Sequence, residues 1–454
     1  MTAAPRMAFD AVIVGAGLAG SAAAILLSRA GWSVALVERL RFPRRKVCGE
    51  CMAASNLPLL QALGVGDAFL ARAGPELRQV TLLHRNSAVT ADLPHADSER
   101  WAWGRALGRE TLDGLLLEEA RAAGAAVFQP WAVQTILGTA GAWHCELRAL
   151  ESAALLRLRA TVVIDAHGSW EVLPTDRPQR RLARSAADLF AFKANFTSAS
   201  WPAGAISVLA LNGGYGGMVV ADSGMTTIAC CIRRDRLSAL RSAAPGVRAG
   251  DAVEAWLQRE CVGVQRALRG AVRDGPWLTA GPLDPGVRLT ADDAIFRIGN
   301  AAGEAHPILG EGMSMALQSA SLLCQHLLGQ AGAVAAPRAP TALTAPTALT
   351  APVAPTVPEG RAQAGLQRRY AAAWRRTFTP RLRLAAVFAH TAMSPRSAAA
   401  LIRLAQAWPG LLTRGARWGG KVRYAQARST PALSLATSPT LEGCPAVGNA
   451  LPGS

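Results

Sequence analysis

The first forty residues constrain the fold more than any other part of the chain. The apolar run Phe9–Val14 leads into Gly-Ala-Gly-Leu-Ala-Gly, which starts at Gly15, and a second apolar run ends at Glu38. A strand, a Gly-x-Gly-x-x-Gly turn, a helix and a strand closed by an acid are typical of a site for the ADP half of a dinucleotide. Gly15 permits the tight turn, Gly17 lets backbone amides approach the pyrophosphate, and Gly20 lets the helix lie close to the strand. Glu38 is expected to accept hydrogen bonds from the ribose hydroxyls.

Length and composition predict several domains and a large core. The chain has 454 residues, of which 50% are hydrophobic, and this length suits two or three domains. No apolar run reaches the roughly 18 to 20 uncharged residues that span a bilayer, and no basic-then-apolar signal peptide precedes the first strand. The eight cysteines are scattered, as in a reducing compartment. We therefore expect a cytoplasmic protein, with peripheral contact at the inner membrane surface as an open alternative.

The positive charge is concentrated towards the C-terminus. The formal net charge is +17, and residues 361–430 contain 14 basic residues and no acidic one. The same segment is rich in Leu, Ala, Val, Phe and Trp, which favours an anionic membrane surface as its partner. A solvated helical face is the alternative. No nucleic-acid module or interleaved aromatic motif is visible, so no nucleic-acid partner is expected. Membrane contact is assigned to residues 361–428.

Apolar periodicity predicts a β-meander that crosses back into a parallel sheet, a second sheet, and helices around them. The predicted helices lie at 111–123, 251–259, 265–269 and 312–328, and residues 361–428 are expected to be helical with breaks near Pro380, Pro395 and Pro409. The predicted strands lie at 133–137, 143–150, 155–160, 161–165, 190–194, 205–211, 217–221, 226–232 and 294–298.

Three further motifs follow the N-terminal turn in order. They are Arg-Phe-Pro-Arg-Arg-Lys-Val-Cys-Gly-Glu from Arg41, Arg-Glu-Thr-Leu-Asp from Arg109, and Gly-Asn-Ala-Ala-Gly-Glu-Ala-His-Pro-Ile-Leu-Gly-Glu-Gly-Met from Gly299. With them, the chain resembles the FAD-dependent oxidoreductases of the p-hydroxybenzoate hydroxylase fold, and within that group the geranylgeranyl-reductase-like branch. The resemblance covers about residues 8–330. It implies an α/β fold in which a Rossmann-like FAD-binding domain is interleaved with a β-sheet substrate domain, followed by a C-terminal helical segment.

The resemblance and the composition together divide the chain into five units. The expected units are a discontinuous FAD-binding domain (8–80, 100–175 and 276–330), a substrate domain (81–99 and 176–275), a Pro/Ala/Thr-rich flexible linker (331–360), a basic helical segment (361–428) and a disordered tail (429–454).

The resemblance also implies roles for individual residues. Gly15, Gly17, Gly20 and Glu38 hold the ADP moiety. Arg109 contacts the flavin mononucleotide half, and Asn300 hydrogen-bonds the ribityl chain. Cys48 and Gly49 lie near the isoalloxazine on the substrate side. Gly312 and Met313 offer backbone amides to the flavin N1–C2=O edge. The remaining cofactor-binding candidates are Arg39, Lys46 and Val133.

The assignment at Gly312 has a physical basis of its own. Reduced flavin carries negative charge at its N1–C2=O edge. A helix that begins near Gly312 directs its unpaired N–H groups and the positive end of its dipole there. Such preorganised donors stabilise developing charge at little reorganisation cost.

Two positions depart from the family pattern. Asn300 stands where the family usually has Asp, and it still offers an acceptor oxygen. His167, in Ala-His-Gly, stands where the family usually has Ala-Asp-Gly, so NAD(P)H as electron donor is expected but questioned. Cys48 and Cys51 form a Cys-x-x-Cys; zinc needs four ligands and no second pair follows, so no metal is expected. A redox-active dithiol remains an alternative to a small buried Cys51.

Three reactions fit this fold, and the cofactor carries the chemistry in each. Trp101-x-Trp103 lacks the Pro of the halogenase motif. Tyr215 is retained from the Tyr/Phe-x-Trp-x-Phe-Pro of isoprenoid reductases, but the Trp and Phe-Pro are missing. We therefore favour a monooxygenase acting on an aromatic or polyketide-like lipophilic molecule. The alternatives are a reductase of lipid carbon–carbon double bonds and a non-catalytic, membrane-docked flavoprotein. The catalytic candidates are His306, to orient a phenol or assist proton transfer, Tyr215, to hydrogen-bond substrate, and Cys48.

Overall fold

The structure is a computed structural model that describes residues 6–98, 100–169, 173–174, 184–329, 357 and 360–418. Its strands are β1 (Arg6–Val14), β2 (Val34–Val37), β3 (Cys51–Met52), β4 (Gln79–His84), β5 (Ser87–Asp92), β6 (Arg105–Ala106), β7 (Ala126–Phe128), β8 (Trp131–Thr139), β9 (Ala142–Ala149), β10 (Leu155–Asp165), β11 (Leu189–Thr197), β12 (Ala205–Leu211), β13 (Gly214–Val220), β14 (Thr226–Arg233), β15 (Val272–Arg273), β16 (Leu278–Leu283), β17 (Gly286–Val287), β18 (Phe296–Arg297) and β19 (Gly303–Glu304). Its α-helices are α1 (Leu18–Arg29), α2 (Leu57–Ala62), α3 (Gly66–Arg72), α4 (Arg109–Ala122), α5 (Arg234–Ala243), α6 (Ala249–Glu260), α7 (Val262–Ala267), α8 (Gly312–Gly329), α9 (Gly360–Met393), α10 (Pro395–Ala407) and α11 (Gly410–Trp418).

The first sheet has the order β7-β2-β1-β10-β9-β8, and β18 also pairs with β10. Strands β7, β2, β1, β10 and β18 run parallel, whereas β8 and β9 form antiparallel pairs. The meander therefore returns to the parallel sheet through β10, as predicted. Strand β10 is continuous from Leu155 to Asp165, where the sequence analysis expected two strands. The carboxyl ends of β1, β2 and β10 meet at one edge, which is where open α/β sheets bind ligands.

The second sheet has the order β15-β11-β14-β13-β12-β4-β5, and β16 also pairs with β11. Its pairs are antiparallel except that β12 runs parallel to β4. Helices α6 and α7 cover one face through Trp256, Leu257 and Val264. Tyr215 and Cys231 lie on the other face, in a cluster with side chains of α9 and α10. The α/β fold class and the interleaved β-sheet domain are thereby confirmed.

The main core lies between the first sheet and helices α1, α4, α8 and α9. Its members include Leu112, Leu317, Tyr370 and Trp374, which are all inaccessible to solvent. A smaller cluster fills the space between the parallel strands and the meander. Helix α8 matches the predicted helix within a residue or two, because its apolar side chains recur at helical spacing.

Of the C-terminal basic segment, residues 361–418 are described; they form helices, as expected, but they are packed into the protein. Tyr370, Trp374 and Phe378 belong to the main core, and Ala389 and Ile402 pack on the second sheet. The apolar side chains that suggested a membrane surface are therefore largely buried. Membrane contact through this segment stays a prediction. No helix among the described residues is long and apolar enough to cross a bilayer.

One expected helix break is wrong. Helix α9 continues through Pro380, whereas Pro395 opens α10 and Pro409 separates α10 from α11. Pro380 is solvent-exposed, so the ring meets water rather than the core and the flanking helix is held by Phe378 and Leu382 on its buried side. Packing on both sides of the proline thus overrides its tendency to end a helix.

The expected domain boundaries also shift. Strand β16 pairs with β11 of the second sheet, so the boundary expected at residue 276 falls too early. Strand β4 begins at Gln79, just before the boundary expected at residue 80. Of the predicted linker 331–360, Val357 and Gly360 alone are described, and the predicted tail 429–454 lies outside the described residues.

Candidate active site at the junction of the two sheets

A cavity of about 530 Å³ lies where the carboxyl edge of the first sheet faces the second sheet. One side is formed by the turn between β1 and α1, the loop before β3, the start of α4 and the stretch leading into α8. The other side is formed by β11, β12, β13, β14 and β16. The predicted site residues that line it are Gly15, Gly17, Glu38, Lys46, Cys48, Gly49, Arg109, Tyr215, Asn300, Gly312 and Met313.

The three glycines of the N-terminal turn are required for different reasons. Gly15 has φ +101°, and a Cβ there would lie 2.6 Å from the carbonyl oxygen of Ala166. A Cβ on Gly20 would lie 1.8 Å from the carbonyl oxygen of Gly15. A Cβ on Gly17 would instead point towards the cavity, 3.6 Å from Lys46 Nζ and 3.9 Å from Arg109 Nη2. Gly15 and Gly20 therefore close the turn, whereas Gly17 leaves the space in front of two cations open.

Glu38 holds the turn in place from the end of β2. Its side chain is 5% exposed. Oε2 accepts a bond of 3.0 Å from the Ala16 N–H, and Oε1 accepts one of 2.9 Å from the Leu40 N–H. A carboxylate has about four acceptor positions, so further positions remain for the hydroxyls of a bound ribose.

A buried charge cluster anchors the start of α4. Asp113 accepts bonds of 2.8 and 3.0 Å from the Arg109 guanidinium, and Lys46 Nζ lies 2.6 Å from its Oδ2. Burial raises the pKa of Asp113, but Arg109 and Lys46 outweigh it and hold that pKa below its usual range. Burial lowers the pKa of Lys46 although Asp113 opposes the shift. The cluster leaves one net positive charge facing the cavity beside Gly17.

Glu50 organises the same region, and the sequence analysis did not single it out. Its side chain is 3% exposed and pairs with Lys193 of β11. It also accepts a bond of 2.5 Å from Thr227 Oγ1 and one of 3.2 Å from the backbone N–H of Arg109. Asp222 accepts a bond of 2.7 Å from the Gly108 N–H at the same helix end. Glu50 and Asp222 thus fix the start of α4 to the second sheet. The only sequence signal for this contact was that lysine is rare: the chain has three, and one of them, Lys193, is the partner of Glu50.

The stretch before α8 brings backbone groups to the cavity. The first helical bond of α8 joins the Met315 N–H to the Glu311 carbonyl at 2.9 Å. The N–H groups of Gly312 and Met313 therefore precede the hydrogen-bond ladder of the helix. Asn300 Nδ2 donates to Ser169 Oγ at 2.8 Å, which fixes that amide on the cavity wall.

Tyr215 lines the cavity, and His306 lies behind it. Tyr215 Oη lies 3.3 Å from His306 Nδ1, and the His306 ring is 5.5 Å from the ring of His390 on α9. Burial, together with His390, lowers the pKa of His306 to about 4. Burial raises the pKa of Tyr215 well above its usual value. Both groups are therefore neutral near pH 7, and Tyr215 alone of the two lines the cavity.

The predicted residues that do not line the cavity have other positions. Gly20 lies under the turn. Arg39 is exposed just after β2. Val133 lies in β8 against the cluster between sheet and meander, so its side chain is engaged in packing. His306 reaches the cavity through Tyr215.

The structure also shows the contacts of Cys48, Cys51 and His167. Cys48 is half-buried and Cys51 is buried. Cys48 interacts with the Arg109 guanidinium, and Cys51 Sγ donates to the Gly49 carbonyl at 3.3 Å. His167 lines the cavity and pairs through Nδ1 with Asp165. In the described residues no group of three or more His, Cys, Asp and Glu is arranged to hold a metal ion.

The second-sheet wall is made of uncharged side chains, most of them apolar. Ala229 pairs with Gly217 across β14 and β13, so at this pair the wall bears nothing larger than a methyl group. Cys231 pairs with Ala191 on one side and with Tyr215 on the other. No charged residue among the described residues contributes to this wall.

The residues present fit FAD. The cradle at Gly17 faces a net positive cluster, which suits a pyrophosphate, and the Glu38 carboxylate lies at the end of β2, where a ribose is held in such folds. The amino end of α8 suits the electron-rich edge of a flavin. A family model described as "FAD binding domain" matches residues 8–258, more than half of the chain. The chain belongs to this FAD-binding family.

Curated relatives of this FAD-binding protein include several enzymes. Kynurenine 3-monooxygenase from Stenotrophomonas maltophilia is 26% identical over 380 residues, which are 73% of this chain and 75% of the relative. Conditioned medium factor receptor 1 from Dictyostelium discoideum is 23% identical over 69% of this chain and 62% of the relative. Menaquinone reductase from Mycolicibacterium smegmatis is 47% identical over 58 residues, 13% of this chain and 14% of the relative. The matches to the last two thus span less than two thirds of those proteins.

Solved structures share the fold at low identity. The myxobacterial chondrochloren halogenase has a TM-score of 0.68 at 17% identity, covering 90% of this chain and 91% of that one. A geranylgeranyl bacteriochlorophyll reductase-like protein from Thermoplasma acidophilum has a TM-score of 0.66 at 15% identity, covering 91% and 100%. These likenesses show the fold.

Proposed function

We propose that this FAD-binding protein is an FAD-dependent oxidoreductase, and specifically a monooxygenase that hydroxylates an aromatic or polyketide-like lipophilic molecule, with NAD(P)H as the electron donor. The observation that carries the proposal is the division of the cavity. Charged groups such as Arg109, Lys46 and Glu50 lie on the cofactor side, whereas the second-sheet wall is uncharged. An uncharged and largely apolar wall suits a flat, apolar molecule, because burial of apolar surface drives its binding.

The residues at this wall have defined tasks. Bound FAD supplies electron transfer and oxygen activation. Ala229 and Gly217 leave room for the substrate, and the buried wall excludes water. The neutral hydroxyl of Tyr215 can donate to or accept from a substrate oxygen, and His306 Nδ1, 3.3 Å behind it, sets its orientation.

A second candidate is the reduction of a carbon–carbon double bond in a lipid. The segment related to menaquinone reductase favours it, and the same apolar wall suits a prenyl chain. Halogenation has less support: Trp103 makes an edge-to-face contact with His95, with ring centres 6.0 Å apart, and neither it nor Trp101 lines the cavity.

Substrate-stimulated turnover distinguishes these reactions. FAD-loaded protein is given NADH or NADPH, ¹⁸O₂ and a panel of phenolic and polyketide-like lipids. We expect at least tenfold faster donor oxidation with one of them, and one labelled oxygen in the product by mass spectrometry. Anaerobic saturation of a prenylated quinone without label would establish the reductase instead, and no response in either assay would favour a non-catalytic flavoprotein.

A matched variant tests whether the wall is the substrate site. Ala229→Leu fills the space opposite Gly217 and leaves the cofactor side unchanged. It should retain FAD and lose the substrate stimulation. Leu137→Ala, at a residue that is 46% exposed on the meander, serves as the control and should behave like the parent protein.

A further inference from the structure

An arginine of the C-terminal segment reaches the loop that precedes α8. Arg381, on α9, pairs through Nη2 with Glu311 Oε2, and their side chains are 10% and 2% exposed. Its Nη1 donates to Gln318 Oε1 on α8 at 2.6 Å. An ion pair this deeply buried is costly to break, because the remaining charge is left without a partner.

Glu311 lies at the amino end of α8, next to the cavity. It is the residue whose carbonyl accepts the first helical bond of α8, from the Met315 N–H. Its neighbours Gly310 and Gly312 line the cavity, whereas its own side chain meets α9. The carboxylate therefore lies at the same positive helix end that faces the flavin, and it competes with the flavin for that positive potential.

The pair belongs to a larger network around the first turns of α8. Gln318 Nε2 donates to Asn56 Oδ1 at 2.8 Å, and Asn56 Nδ2 donates to Ser314 Oγ at 2.8 Å. Arg381 thus holds Gln318 and Glu311 at once and ties α9 to the helix start. The guanidinium also lies 5.6 Å from the centre of the Phe378 ring, which fixes its plane.

We propose that Arg381 is a positioning residue for the flavin: it neutralises Glu311 and so reserves the amino end of α8 for the negative charge that the cofactor gains on reduction. The C-terminal segment is then part of the redox site rather than an appendage. This inference rests on FAD binding and is independent of which reaction the protein catalyses.

The midpoint potential of the bound flavin tests the proposal. In Arg381→Gln, the Glu311 carboxylate loses the positive charge of Arg381 and opposes reduction, so the potential should shift to more negative values. Measured against a reference dye, the equilibrium ratio of reduced to oxidised flavin should fall at least tenfold. Arg381→Lys should restore most of the ratio, and Glu311→Gln with Arg381→Gln should return it towards the parent value because both charges are gone. Arg383→Gln, at an exposed position of the same helix, should leave it unchanged.

Each other outcome is also decisive. Should Arg381→Gln bind FAD with an unchanged potential, the proposal is wrong. Should it bind no FAD, the double variant decides: recovered binding and potential support the electrostatic role, whereas a folded double variant that still binds none assigns Arg381 a purely structural role. Failure of the parent protein itself to bind FAD would refute the family assignment instead.

Discussion

The turn between β1 and α1 depends on where each glycine would place a Cβ. At Gly15 and Gly20 a Cβ would meet backbone oxygens at 2.6 and 1.8 Å, so any side chain there disturbs the fold. At Gly17 it would meet the ends of two flexible cations. Of these three glycines, Gly17 alone can be replaced by a residue with a side chain while the protein stays folded.

Gly17→Val should therefore abolish FAD retention in a folded protein. The valine methyl groups extend into the space in front of Lys46 and Arg109, where we expect the pyrophosphate to bind. We expect at least a tenfold loss of affinity, about 1.4 kcal/mol, read from the flavin absorbance per mole of protein and from titration of the apoprotein with FAD. Gly114→Ala, a helical position with no atom within 4 Å of the added Cβ, is the control. Undiminished flavin content in Gly17→Val would contradict the placement of the cofactor.

His306 makes stability dependent on pH in a defined window. Its folded-state pKa of about 4 lies below the ordinary 6.5 because the ring is buried. The unfolded chain then binds the proton more readily, so the free energy of unfolding falls as pH is lowered from about 6.5 to about 4. Above that window the ring is neutral in both states and the contribution is constant.

Replacing His306 by Gln should flatten this dependence, because Gln keeps a hydrogen-bonding side chain without a titrating ring. Urea unfolding of the apoprotein across the window measures the effect. His144→Gln, at an exposed histidine, should keep the slope of the parent protein. An equal slope in all three proteins would show that His306 is protonated at the same pH folded and unfolded.

At the scale of elements, helices are placed by contacts from distant parts of the chain. The start of α4 is held by Glu50 and by Asp222 of the second sheet, and the start of α8 by Arg381 of α9. Both helix ends face the cavity, so its geometry depends on the docking of the second sheet and of the C-terminal segment. Local periodicity places these helices in the sequence but not their ends in space.

Pro380 is a weak point within α9. Its ring removes one hydrogen bond from the helix, and the position is exposed. Pro380→Ala should raise the stability by about 1–3 kcal/mol, seen as a higher thermal midpoint with unchanged flavin content. Thr379→Ala, at the preceding position, serves as the control. A lower midpoint would mean that the proline is needed for α9 to fit both the main core and the second sheet.

At the scale of the whole molecule, the C-terminal segment joins the two sheets. It contributes Trp374 to the main core and Ile402 to the cluster on the second sheet. Deleting it would expose both clusters, so deletion is not a test of membrane contact. In the described part of the segment, the exposed large apolar residues are Val387, Leu404 and Trp408, the last 70% exposed.

Point substitution tests the predicted membrane contact while leaving the core intact. Trp408→Ser should lower co-sedimentation of the protein with anionic vesicles at least threefold, since Trp favours the membrane interface. Val272→Ser, at a residue 64% exposed on β15, is the control for non-specific adsorption through exposed apolar side chains. Equal co-sedimentation of all three proteins would remove the predicted contact.

The parts of the site that sequence reasoning reached are those formed by neighbours in the chain. The turn at Gly15 and Gly17 and the helix start at Gly312 need only local backbone geometry, and they line the cavity as a group. The pairs Glu50–Lys193 and Glu311–Arg381 join residues far apart in sequence. No local pattern marks them, because each residue alone resembles an ordinary surface charge.

The sequence by itself determined the nucleotide turn, the alternation of strands and helices and the family, since glycine conformation and apolar periodicity act over a few residues. The tertiary structure alone decided that the basic C-terminal helices are core elements, that Pro380 lies within a helix, and that buried charges meet across the two sheets. The physical reason is that burial and charge neutralisation depend on which surfaces pack together, and that depends on the whole chain.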